Sequence, residues 1–129
     1  MKFLLLIHNN AEAIEQFSEQ QLTEMSGGFE QVAATARELL DSGEVLKILA
    51  LQNPPETKSV QLVAGTPVIS DRPLLETKEY LAGAIVVECE SIDRVLEIAA
   101  RIPLAELRRV EIREVRADEQ DFLGEFGRP

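Results

Sequence analysis

Phe3 to Ile7 are five consecutive large apolar side chains, followed closely by the turn-prone pair Asn9-Asn10. The run is too short for a helix and reads as a strand from Lys2 to His8. Successive strand side chains point to opposite sides, so both faces of this strand need cover. A second segment makes the same demand. In the strand expected from Gly83 to Glu90, Ala84-Ile85-Val86-Val87 is apolar on both faces. Two such strands in one sheet call for a layer on each side of it.

The remaining pattern offers cover for one side only. Ser18 and Gln21 form a capping box that opens a helix running to about Ser42 and stopping at Gly43. Its stripe is Leu22, Met25, Phe29, Val32, Ala33, Ala36, Leu39 and Leu40, spaced by three and four. Gly27-Gly28 interrupts it, and each Gly costs about 1 kcal/mol relative to Ala, which predicts a kink or two helices. Ser91 caps a second helix with Ile92, Val95, Leu96, Ala99 and Ile102 facing inward, ended by Pro103. Val45 to Leu51 and Ser59 to Ala64 read as a hairpin with a loose loop at Asn53-Pro54-Pro55, and Val68 to Ser70 as a further extended piece. The closing strand lies near Arg109 to Val115, where Val110 and Ile112 alternate with charges as on an edge.

The order β-α-β-β-(β)-β-α-β describes an α+β chain, a ferredoxin-like split βαβ protomer with an inserted hairpin. Its two helices cover one face of the sheet. A second copy packed on the other face is the simplest completion, so the chain is expected to be a homodimer with a closed space between two sheets. A length of 129 residues with 45% apolar content supports one core. The expected division is a domain over 1–116 and an acidic C-terminal tail over 117–129, in which Phe122, Leu123 and Phe126 can dock.

Charge narrows the function classes. The formal net charge is −10, and between Phe3 and Ala36 there are five glutamates and no Lys or Arg. Such a field repels phosphate backbones and anionic lipids, which argues against nucleic-acid and membrane partners. The longest apolar run falls far below the roughly 20 residues that span a bilayer, and the first residues lack a signal-peptide pattern, so a cytoplasmic location is expected. The single cysteine, Cys89, alternates with Ile85 and Val87 and reads as a small buried hydrophobe. No phosphate loop, dinucleotide fingerprint, nucleophile elbow or metal-ligand spacing is present, so neither cofactor nor metal is expected.

One segment carries a family resemblance. Asp71-Arg72-Pro73-Leu74 followed by Glu76-Thr77-Lys78-Glu79 resembles the Asp-Gly-Pro-Phe and Glu-Thr-Lys-Glu signature of a branch of the YCII-related family of small bacterial proteins. Met1 to Ile7 is similar to the family's opening strand, Ser91 to Pro103 to its second helix, and Val110 to Arg113 to its closing strand. The resemblance implies a dimeric α/β barrel of ferredoxin-like protomers. It implies little about activity: related barrels include small-molecule enzymes, and this branch is associated with extracytoplasmic-function sigma factors, which suggests a regulatory protein partner. Arg72 stands where the signature has Gly, and Leu74 where it has Phe. Arg72 cannot adopt positive φ as cheaply as Gly, so an extended backbone is expected before Pro73.

Asp71 to Glu79 is the only polar cluster dense enough for chemistry. An Asx-type turn at Asp71 is a sufficient structural role. The functional reading makes Asp71 and Glu76 proton acceptors and Lys78 an anchor for a small anionic ligand. Tyr80 either lines the pocket or plugs a sheet edge. His8, the only histidine, ends the first strand, where it either exchanges protons near neutral pH or merely hydrogen-bonds. Arg113 joins the candidates because the closing strand should pair beside the first. Two readings follow: a non-catalytic small-molecule-binding or regulatory module, or a small enzyme performing acid–base chemistry with His8 and Asp71 in the inter-sheet pocket. Direct hydrogen-bond reach between His8 and Asp71 in a concave pocket would favour the enzyme.

Overall fold

The computed structural model describes residues 1–10, 19–73, 79–102 and 108–127, without the side chains of 19 and 21–29. Its elements are β1 (Lys2–Asn10), α1 (Glu19–Ser42), β2 (Val45–Ala50), a 3-10 turn (Pro54–Glu56), β3 (Ser59–Val63), β4 (Thr66–Ser70), β5 (Glu79–Glu88), α2 (Ile92–Ala100), β6 (Arg108–Glu114) and α3 (Glu119–Phe126). Four strands form an antiparallel sheet in the order β2-β5-β1-β6, and β3 and β4 pair separately. In β1-α1-β2 the two strands are separated by β5, and in β5-α2-β6 by β1. This α+β arrangement is compatible with a ferredoxin-like fold.

β1 holds a central place because its apolar run can be covered on both flanks and on one face at once. Phe3, Leu5 and Ile7 are buried. Opposite them in register stand Val87, Ile85 and Gly83 of β5 and Glu114, Ile112 and Val110 of β6. Leu39 of α1 and Val95 and Ile98 of α2 close the core over this face, with Val45 and Cys89 at its margin. Between them the helices leave the opposite face, with Leu4, Leu6, Ala84 and Val86, only half-buried. Among the described residues the tail does not supply the missing layer. Lys2 Nζ reaches Asp118 at 3.9 Å and Asp118 caps α3, but Phe122, Leu123 and Phe126 all remain exposed.

Several expectations need correction. α1 is one continuous helix through Gly27-Gly28, because glycine, unlike proline, keeps the N–H that the ladder needs. The capping residue Ser18 and the side chains of Leu22, Met25 and Phe29 lie outside the described residues. Further along α1, Leu39 is buried and Val32 and Ala36 half-buried, whereas Ala33 and Leu40 are exposed. On α2 the inner stripe is Val95, Ile98, Ala99 and Ile102, a clean i, i+3, i+4, i+7 set, and Ile92 and Leu96 face out. Ser91 caps α2 as expected, its hydroxyl accepting from Arg94 N–H at 3.1 Å.

The hairpin expected between Val45–Leu51 and Ser59–Ala64 does not form. β2 pairs with β5, Ile48 facing Ile85, while β3 turns back on β4 through Ala64-Gly65. Both turn residues have positive φ, 50° and 81°, the type I′ pattern whose twist suits a two-residue hairpin. The tight local turn outcompetes closure across the prolines, which carry no backbone donor.

No described helix is long and apolar enough to cross a membrane. Where α1 hands over to β2, Arg94 of α2 grips Glu44, with Nε 2.7 Å from one carboxylate oxygen and Nη2 2.6 Å from the other. The Arg94 hydrogen bonds hold the Glu44 carboxyl below its ordinary 4.5 and push the guanidinium upward in turn.

Two outcomes are expected. Because the folded-state pKa of Glu44 is lowered, its contribution is complete above the ordinary carboxylate range and disappears as pH falls through the folded value. Thermal melts should therefore show Glu44→Gln below wild type at pH 7, with the gap closing as pH falls below the ordinary 4.5 of a glutamate carboxyl. Cys89→Ala should cost on the order of 1 kcal/mol, the scale for a small buried group, in urea unfolding. Rapid labelling of native protein by a bulky thiol reagent would contradict the burial of Cys89.

Candidate functional site

The C-terminal end of β1 meets the loop after β2 and the segment after β4, and the three enclose an open cleft of roughly 800 Å³. Its walls include His8, Glu56, Asp71, Arg72, Glu79 and Tyr80. The sheet is irregular at this point. Ile7 faces Gly83 but His8 faces Leu81, so Ala82 is an extra residue in β5, a bulge of the kind that re-aims side chains at sheet ends.

His8 is 23% exposed, and its Nε2 lies 2.6 Å from Oε1 of Glu111, which is two residues beyond the residue paired with His8 on β6. The approach is close but poorly aligned for a hydrogen bond, and His8 Nε2 has no aligned partner. Glu79 and Arg109 stand beside this pair, bridged at 3.2 Å, and the four side chains line a shallow recess next to the cleft.

Asp71 lies across the cleft and is largely exposed, its carboxylate accepting from Lys58 Nζ at 2.5 Å. The Asx-type turn finds no hydrogen bond among the described residues, since Pro73 has no N–H to offer. The base of the β3–β4 hairpin is tied instead by Lys58–Asp71 and by the Ser59 hydroxyl, which donates to Arg72 O at 2.5 Å. His8 and Asp71 therefore share one cleft but form no hydrogen bond with each other; each is engaged by a different side chain.

Glu76 and Lys78, together with Leu74, lie outside the described residues. β6 does pair beside β1, but the guanidinium opposite His8 is that of Arg109; Arg113 faces Leu4, four register positions away. The four-residue offset follows from β6 starting at Arg108, opposite Asn9. Glu111, Arg109 and Lys58 were not singled out from the sequence. Alternation along β6 could have paired Glu111 with His8 once the register was known, whereas nothing local marks Lys58. Among the described residues no group of three or more His, Cys, Asp or Glu side chains converges as a metal site.

Chemically, the cleft offers among its described residues an imidazole, the carboxylates of Glu56, Asp71 and Glu79 and the guanidinium of Arg72 within one concave surface, with Glu111 and Arg109 in the adjoining recess. It can bind a polar ligand of small size and, at His8, exchange a proton with it. Comparison with known proteins finds a similar chain in Rhizobium meliloti (strain 1021), an uncharacterised protein 23% identical over 99 residues, covering 77% of each chain. The YCII-related domain matches residues 1–119, nearly the whole length, and the chain belongs to that family.

Proposed function

We propose that this YCII-related protein is a non-catalytic small-molecule-binding module that acts as a homodimer. The observation carrying this reading is the cleft in which Asp71 is paired with Lys58 while His8 lies against Glu111, with no hydrogen bond between His8 and Asp71. Groups held apart in this way can recognise a ligand by charge and hydrogen bonding, but they do not form the mutually oriented pair that acid–base catalysis uses. The ligand is a small anion, drawn by Arg72 and Arg109 and by Lys78 of the signature segment, with Asp71 or Glu76 accepting its donor group. Arg113, four residues beyond Arg109 on the same face of β6, extends the positive field. The compartment is the cytoplasm. A regulatory protein is the natural reader of ligand occupancy.

The second reading, a small enzyme using His8 and Asp71, is favoured by one contact. A carboxylate 2.6 Å from an imidazole can orient the ring towards a bound ligand.

The homodimer rests on the uncovered sheet face. Leu4, Leu6, Ala84 and Val86 are half-buried and Leu49 is 47% exposed, while both long helices lie on the other side. A second copy applied face to face buries these residues and gives the dimeric barrel.

Sedimentation equilibrium at micromolar concentration should give twice the 14.3 kDa chain mass, and Val86→Lys should shift it towards monomer. A wild-type chain at 14.3 kDa would overturn the dimer. A thermal-shift screen of anionic metabolites should yield a ligand whose affinity falls about tenfold, or ~1.4 kcal/mol, in His8→Asn and in Asp71→Asn. If both variants lose stability yet keep affinity, the cleft residues are structural. Turnover of a screened compound that His8→Asn abolishes would establish the enzyme reading instead.

A further inference from the structure

Leu62, Ile69 and Val60 of the β3–β4 hairpin are 69%, 68% and 63% exposed, the three highest values for large apolar side chains among the described residues. The register brings them together. Val60 faces Ile69 and Leu62 faces Pro67, so these four share one side of the two-stranded sheet. The other side alternates Val63 and Val68 with Ser59, Gln61, Thr66 and Ser70. Single exposed apolar residues are ordinary, but a contiguous patch on one face marks a contact surface.

The hairpin also lacks the features that keep an exposed strand pair solitary. From Ser59 to Ser70 there is no Asp, Glu, Lys or Arg, in a chain of which 28% is charged. Charges in such strands normally guard against association. A two-stranded hairpin is marginal in water unless one of its faces packs on something, and β3 and β4 pair with no strand of the main sheet. Its outer edge is the poorer contact. The two-residue turn at Ala64-Gly65 makes Val63 and Thr66 a hydrogen-bonded pair, so at the next pair, Leu62 and Pro67, the backbone points outward, and Pro67 has no N–H to give a further strand. The apolar face remains as the docking surface.

The occupant follows from what a dimer of sheets lacks. The four strands are nine, six, ten and seven residues long and point only alternate side chains to the open face, which falls short of the roughly 20–30 residues a side of a standard interface. The hairpin is the adjoining apolar surface: it follows β2 in the chain, and its foot, Asp71 and Arg72, stands across the cleft from His8 at the end of β1. A strongly charged partner would need countercharges that the hairpin does not carry.

We infer that the hairpin is an arm that seats Val60, Leu62, Pro67 and Ile69 on a second copy of this chain, an inference that rests on the homodimer reading above. Lys58 ties the foot of the arm to Asp71, and Ser59 ties it to Arg72. Seating the arm therefore also fixes the Asp71 wall, and each cleft is complete only while the other copy holds its arm.

Sedimentation equilibrium over a concentration series should show wild type as a dimer, and the double variant Leu62→Lys, Ile69→Lys with a dimer Kd raised at least about tenfold; both side chains are exposed in the protomer, so its own core is untouched. Dimers mixed from methyl-labelled and unlabelled chains should give cross-chain NOEs from the Val60, Leu62 and Ile69 methyls. Amide exchange over residues 60–72 should be slower in wild type than in Val86→Lys at a concentration where that variant is monomeric. A monomeric wild type overturns the homodimer reading and the arm with it. A wild-type dimer whose Kd ignores the two lysines and whose hairpin methyls give no cross-chain NOE overturns the arm alone and leaves the dimer of sheets standing.

Discussion

The two-sided apolar character of β1, set between β5 and β6, is the constraint on which the rest of the molecule depends. Phe3 and Leu5 are fully buried, and burying two side chains of this size contributes on the order of 2 kcal/mol each. That burial exists only because α1 and α2 lie on the same side of the sheet. The split βαβ connections require it: each crossover, from inner β1 to outer β2 and from inner β5 to outer β6, must pass over one face, and both crossovers have the same hand. The same rule that builds the core leaves Leu4, Leu6, Ala84 and Val86 on the other side without a helix over them.

The polar site follows from where β1 stops being apolar. After Ile7 the strand continues as His8-Asn9-Asn10, with His8 and Asn9 still paired on both flanks, so a histidine is carried into a position with a carboxylate strand neighbour on one side and a bulge on the other. The bulge at Ala82 separates the regular sheet from the stretch that lines the cleft. It lets Tyr80 and Leu81 join His8 at the cleft wall while Gly83 stays in register with the core. Across the opening, the β3–β4 hairpin brings Asp71 in, and its base is held by Lys58 and Ser59. A rigid sheet end on one side and a tethered hairpin on the other give the cleft one firm wall and one that depends on a few polar contacts.

Patterns of long range and strong periodicity were legible in the sequence. The unbroken apolar run of β1, the double-faced apolarity of β5, the Ser91 cap and the half-polar edge strand β6 could all be read, because each is written in consecutive residues. What escaped reading depended on choices between partners. β2 could pair with β3 or with β5, and apolar composition does not distinguish them; a positive φ at Ala64 made the local turn that decided it, and alanine is a poor advertisement for such a turn. The inner face of α2 was misplaced for a related reason. Ile92 and Ile98 are equally apolar, and only docking against Phe3 and Val87 selects the arc containing Ile98. In the site, His8 and Asp71 could be named, but their partners Glu111 and Lys58 depend on register and on the hairpin, which no local motif records.

A chain of net charge −10 meets a general objection to self-association, since like charges oppose contact between copies. The distribution of charge on the sheet answers it. In register, the face opposite the helices carries Lys2, Lys47, Arg109 and Arg113 against Glu79, Glu88 and Glu111, with Asp118 beside Lys2, so its charges balance on a strongly acidic protein. Of the glutamates between Phe3 and Ala36, Glu30 stands exposed on α1, the helix on the other side of the sheet. At physiological ionic strength charges more than about 8 Å apart are largely screened, so acids on the helix side, such as Glu30 and Glu38, exert little repulsion across the open face. In the proposed homodimer the apolar strip from Leu49 through Val86 and Ala84 to Leu4 and Leu6 would then meet its copy without a like-charge penalty. The Lys2–Glu88 and His8–Glu111 pairs at the two ends of β1 would frame that strip and fix the direction of approach.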